Sequence, residues 1–264
     1  MPELVPTAPG TLLDKVLANP LVGLSPWILY SLVEGENRLE LSSALALGLA
    51  LVILLLGWIR ASRPKLLEYT DVVFFGALAI FVAVASDGTH NWLERWSGEV
   101  ANVALVVIAL GSILVRQPFT LAYAKEQAPR ELWTNPAFLR TNYVITWAWA
   151  IAFIIEAASG AYGDAVLHDS NNIWTGWVIQ TLPLIAAAQF TLWYPRRVRA
   201  QAREGESGPS LSEFLATLTP WITVVGVIAL VVNDPWWIGV GLIIVGVAAG
   251  NRLQPEKPAR AAPT

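Results

Sequence analysis

Apolar residues in this chain gather into separate runs, divided by polar stretches that proline and glycine punctuate. The runs cover 40–59, 70–86, 100–115, 141–159, 173–194, 213–232 and 235–250. A helix needs about 20 predominantly apolar residues to cross a bilayer. The runs do not alternate polar and apolar as the strands of an outer-membrane barrel do. The pattern therefore predicts an all-α fold, a polytopic transmembrane helix bundle of about seven spans. Ahead of them, residues 12–33 are apolar, but Pro20 and Pro26 cut them into pieces too short to span alone. They are expected to form a short N-terminal re-entrant or interfacial helix, with a kinked full span as the alternative.

Five segments follow from this reading: an N-terminal segment 1–39, a five-helix membrane core 40–195, a cytoplasmic linker 196–212, a two-helix C-terminal membrane hairpin 213–250 and a disordered tail 251–264. Local signals support the boundaries. Asn135 and Pro136 suit a cap and first turn, Asn172 suits a cap, and Ser210 with Glu213 has capping-box spacing. Asp234 and Pro235 suit a cap and first turn for the seventh span. Pro183 should kink the fifth span and Pro195 should stop it. The opening MPELVPTAPG has no basic stretch before an apolar core, so no cleaved signal peptide is expected.

Composition narrows the chemistry. Hydrophobic residues make up 55% of the chain and charged residues 14%, against about 25% charged in soluble domains. With no cysteine there are no disulfides, thiolate metal sites or cysteine nucleophiles. One methionine and two histidines leave little to ligate haem or copper, and no cofactor is expected. Of the 17 basic residues, 14 fall in alternate loops and the tail, and Lys15, Arg38 and Arg95 in the others. That split places the basic loops and the C-terminus on the cytoplasmic side. Trp92, Trp96, Trp174, Trp236 and Trp237 gather at the predicted outer boundary, with Trp58, Trp133 and Trp193 at the inner one, as an aromatic belt would.

Few residues carry chemistry. Glu156 shares a helical face with Ala148, Trp149, Ala152, Ser159 and Gly160. Small neighbours let another helix approach, so the acid should face the bundle. A carboxylate held centrally costs about 2.5–3.5 kcal/mol; hydration within one turn of the outer interface is the alternative. Asn102 and Gln180 complete the candidate substrate-binding set, and interhelical hydrogen bonding is their plainer role. No other intramembrane acid is expected, which counts against a coupled pump. In the 117–139 segment Phe119, Tyr123, Lys125, Arg130 and Trp133 suit an anionic inner leaflet, each basic group contributing about 1 kcal/mol. Nucleic-acid binding is not expected. Gly246 and Gly250 have the spacing of a helix-packing face, either between two copies or within the chain. His90 and His168 are expected in solvated outer loops, with no metal site. Phosphate loops, HExxH and GxSxG motifs are missing, so no catalytic residue is assigned.

The order of several short marks carries a resemblance. They are the proline-cut segment 20–33, the turn RASRPK, the loop SDGTHNW, the turn RQPFT, then APRELW, Asn142, TWAWA and NIW at 172–174. Over residues 20–195 the chain resembles the intracellular septation protein A family of bacterial inner-membrane proteins. The resemblance implies a multi-pass inner-membrane protein that acts as an envelope scaffold through contacts with division and wall-synthesis proteins. The expected partners are the lipid bilayer and other envelope membrane proteins or a second copy, and no catalytic residues carry over from the family. The sixth and seventh spans and the 195–213 linker depart from that pattern. A transporter or channel for a small or lipid-like solute, using the fifth and sixth helices and Glu156, is the alternative function.

Overall fold

Proline placement explains the first part of the fold. A computed structural model describes residues 12–35, 37–60, 65–168, 172–203, 207–232 and 235–253. The N-terminal segment forms three short helices, α1 (Leu12–Leu17), α2 (Pro20–Gly23) and α3 (Ser25–Val33). Pro20 and Pro26 each occupy the first turn of a new helix, where the missing N–H would have had no partner. Asn19 caps α2 by accepting from Leu21 N at 3.0 Å. Eight further α-helices follow: α4 (Leu39–Ile59), α5 (Leu66–Val84), α6 (Asp87–Leu114), α7 (Phe119–Glu126), α8 (Pro136–Tyr162), α9 (Ile179–Gln201), α10 (Leu211–Val231) and α11 (Trp236–Leu253). The described residues hold helices and no strand, an all-α bundle. Among the described residues, six helices are long and apolar enough to cross a membrane: α4, α5, α6, α8 with its continuation to Leu167, α10 and α11.

Several boundaries differ from the sequence expectation. Helix α6 begins at Asp87, so the polar stretch read as an outer loop, His90 included, is helical. His90 N donates to Ser86 O at 2.8 Å, and Leu93, Ser97 and Ala101 already carry the buried face at four-residue spacing. The expected fifth span is divided between a π-helical turn, Ile173–Val178, and α9. Pro195 does not stop α9, which continues to Gln201 and takes Arg196, Arg197 and Arg199 out of the expected linker. Arg196 Nε donates to the Leu192 carbonyl at 2.8 Å, which helps to hold the turn around Pro195. The caps on Asn135, Asn172 and Ser210 are present. Asp234, the opening decapeptide and most of the tail lie outside the described residues.

The chain divides into two compact units, Met1–Ala150 and Ile151–Thr264. In the second unit, α10 and α11 pack backbone to backbone. A Cβ at Gly226 would lie 2.8 Å from the Gly239 carbonyl oxygen. One at Gly246 would meet the Thr223 side chain and lie 3.0 Å from Thr219 O, and one at Gly250 would lie 3.0 Å from Thr219 Oγ1. Gly246 and Gly250 thus pack within the chain, the second of the two roles their spacing allowed.

In the first unit the N-terminal segment follows the length of the long helices. Asp14 Oδ1 pairs with Arg60 Nη1 at 3.1 Å at the C-terminal end of α4. Gly23 packs against Leu67, Trp27 bonds to Asp71 and Tyr30 meets the Phe75 ring at 5.5 Å. Asn37 N then donates to Glu94 Oε1 at 3.1 Å near the start of α6. These contacts advance together along α5, the course that a kinked span would take; a re-entrant segment would instead bring both of its ends to one side. The chain has no cysteine, so single cysteines at Leu12 and Arg38 test this directly. A membrane-impermeant maleimide is expected to reach the two positions from opposite sides; labelling of both from one side would make the segment re-entrant.

Candidate functional site

The start of α5 assembles a buried charged cluster. Lys65 is the residue before the helix, and Glu68 and Asp71 follow at three-residue steps, on one face. Glu68 Oε2 accepts from Lys65 N at 3.2 Å, so the carboxylate satisfies a backbone donor at the positive end of the helix dipole. Its other oxygen receives Lys65 Nζ at 2.7 Å. Nζ also lies 3.3 Å from Glu126 Oε1 and 5.0 Å from the centre of the Tyr123 ring. Lys65 and Glu68 are each 2% exposed and Asp71 1%. Asp71 stands five residues into α5, about 7.5 Å at a 1.5 Å rise per residue. Its Oδ1 accepts from Trp27 Nε1 at 2.6 Å, whereas Oδ2 is buried with no hydrogen-bond partner.

Helix α7 closes the cluster from another side. Ser112 Oγ accepts from Phe119 N at 3.1 Å, and Thr120 Oγ1 lies 2.8 Å from Thr146 Oγ1 and donates to Asn142 O at 3.1 Å. Gln127 Nε2 reaches the Ala18 carbonyl at 2.6 Å. These bonds draw α7 into the protein and bury Phe119 and Tyr123, 2% and 1% exposed. Their expected contact with the membrane surface is therefore corrected: aromatic residues among basic ones read as interfacial, but Ser and Thr hydroxyls tie the helix inward. Lys125 and Arg130 instead gather at Trp133, their charges 5.5 and 5.8 Å from its ring, with Arg130 exposed and Trp133 half-buried.

The Tyr123 hydroxyl is buried without a hydrogen-bond partner. It fills the space above Gly23, where any Cβ would collide with it. Burial first, then the carboxylates of Glu68, Asp71 and Glu126, pushes its pKa well above the usual phenol value, so it stays a neutral donor. The cluster thus joins one cation, three carboxylates, an indole donor and a neutral phenol. It leaves one carboxylate oxygen and one hydroxyl unanswered, a combination that suits reversible binding of a proton.

The cluster overturns the expectation that Glu156 is the lone intramembrane acid. The second span begins at Leu66, not near residue 70, which brings Glu68 onto the helix with Asp71. Of the residues picked from sequence, Asn102 is buried on α6 in the first unit, at 6% exposure. Glu156, also 6% exposed, and half-buried Gln180 belong to the second unit. Glu156 lies on the buried side of α8 with Ala152 and Ser159, as its face predicted. Ser159 Oγ donates to Thr175 O at 2.9 Å, which ties α8 to the π turn Ile173–Val178. His90 Nε2 sits 3.6 Å from both Glu40 and Glu94. Among the described residues, no group of three or more His, Asp and Glu side chains is arranged to hold a metal.

A buried ion pair is sensitive to the loss of one partner. Lys65→Met should cost about 3–5 kcal/mol because it leaves Glu68 buried without its cation, and Lys65→Met with Glu68→Leu should recover much of that loss. Thermal unfolding in detergent checks this; a double variant less stable than Lys65→Met would show that the two charges do not compensate each other. No family model, curated protein or solved structure matches this chain.

Proposed function

We propose that this is a multi-pass inner-membrane transport protein, its C-terminus cytoplasmic, that moves protons across the bilayer through the centre formed by Trp27, Lys65, Glu68, Asp71 and Tyr123. The observation that carries this reading is Asp71. It lies inside an apolar helix, 1% exposed, with one oxygen on the Trp27 indole and the other without a partner. Buried polar networks that serve only stability satisfy their members, because an unanswered polar atom costs about 1–3 kcal/mol. Ionisable groups kept within membrane helices mark ion and proton routes. Glu68 stands one turn before Asp71 on the same helix face, and its charge is balanced by Lys65 at 2.7 Å.

The orientation rests on the unequal split of basic residues between alternate loops. An envelope-scaffold role rests on the septation resemblance, and the glycine face whose spacing also suits self-association is taken up between α10 and α11.

Purified protein in liposomes with a trapped pH-sensitive dye tests the proposal. Under an imposed pH gradient, with valinomycin and potassium to balance charge, wild type should collapse the gradient several-fold faster than protein-free liposomes. Asp71→Asn should fall back to the protein-free rate. A wild type no faster than empty liposomes, or an Asp71→Asn variant at full rate, contradicts the reading.

A further inference from the structure

A second set of polar groups lies farther along the first unit. One turn beyond Trp27 on α3, Tyr30 is 0% exposed, with its hydroxyl beside Glu34 and Ser97. The Glu34 carboxylate rests against Gly98, where the space a side chain would fill is occupied by the acid. Nearer the surface, Asn37 N donates to Glu94 Oε1 at 3.1 Å and His90 Nε2 lies 3.6 Å from Glu94 and from Glu40. The side chains of Glu94 and His90 are 25% and 27% exposed. At the opposite end, Glu126 beside Lys65 is 26% exposed. The two polar sets therefore reach opposite ends of α5.

An aromatic layer separates them. The Trp27 ring centre lies 4.7 Å from Phe74 and 4.9 Å from Phe75, the two phenylalanines meet edge to face at 5.2 Å, and Tyr30 covers Phe75 at 5.5 Å. Phe75, one helical turn after Asp71, is 0% exposed. A dry ring layer stops ions and protons, and opens only when its rings part and water enters.

We propose that Tyr30, Glu34 and Ser97 form a second proton-exchanging site, and that Trp27, Phe74 and Phe75 are the gate between it and Asp71. This rests on the transport reading and adds its route and its barrier. Protons enter or leave by His90 and Glu94 on one side and by Glu126 and Lys65 on the other. Each crosses the ring layer with no other group exchanged.

The same liposome assay separates the two ideas. Removing the Phe75 ring leaves a space between two polar sites that water can occupy. Phe75→Ala should raise proton flux at least tenfold over wild type, and the smaller Phe75→Leu truncation should raise it less. Adding Asp71→Asn or Glu34→Gln to Phe75→Ala should remove the gain, while potassium flux without valinomycin stays at background. No gain in either Phe75 variant overturns the gate, as does a gain that survives both added substitutions. Should wild type move no protons while Phe75→Ala does so through Asp71 and Glu34, the gate stands and the transport reading falls. A conducting wild type that matches both Phe75 variants gives the reverse.

Discussion

Burying charge is the constraint on which the first unit depends. Lys65 and Glu68 meet at 2.7 Å with almost no access to water, and each ion taken from water costs several kcal/mol unless it is answered closely. The start of α5 supplies those answers together. Its free backbone donor, its dipole and the Lys65 ammonium all converge on one carboxylate. Glu126 and the Tyr123 ring then engage the far side of the ammonium. This arrangement fixes α7 against α5 and leaves no room for a side chain at Gly23.

The broken N-terminal segment follows from the same constraint. A continuous helix would present its side chains at fixed 3.6-residue steps. The breaks instead let Asp14 on α1 meet Arg60 beyond α4 while Trp27 and Tyr30 on α3 meet polar groups of α5 and α6. Backbone irregularity inside a membrane is tolerated where protein surrounds it, and Leu17, Ala18, Leu24 and Trp27 are all buried. The prolines thus place donors beside the buried acids.

Much of the fold was legible in the hydrophobic runs, because spans must be apolar over a known length whatever their partners. Asn135, Asn172 and Ser210 cap as read, since capping is local chemistry. The buried face of Glu156 was legible from its small neighbours. The charged centre was not. Lys65 stands beside Arg60 and Arg63 in sequence and reads as one more loop cation, and a lysine before a helix is no cap signal. Setting the helix start near residue 70 left Glu68 outside it. Tyr123 misled for a related reason: its burial comes from Thr120 bonding Thr146, 26 residues away, which no local pattern records. Gly246 and Gly250 announced close packing, but spacing alone does not say whether the facing helix belongs to the same chain.

The central claim is that the Trp27–Asp71 hydrogen bond docks the N-terminal segment onto α5 at the charged centre. A double-mutant cycle in unfolding free energy, with Trp27→Phe and Asp71→Asn alone and together, measures that bond directly. An intramolecular hydrogen bond contributes about 0.5–1.5 kcal/mol, so the two substitutions should fall short of additivity by at least about 0.5 kcal/mol. Effects that simply add would mean that Trp27 and Asp71 act independently, and the N-terminal segment would then be held by something other than the charged centre.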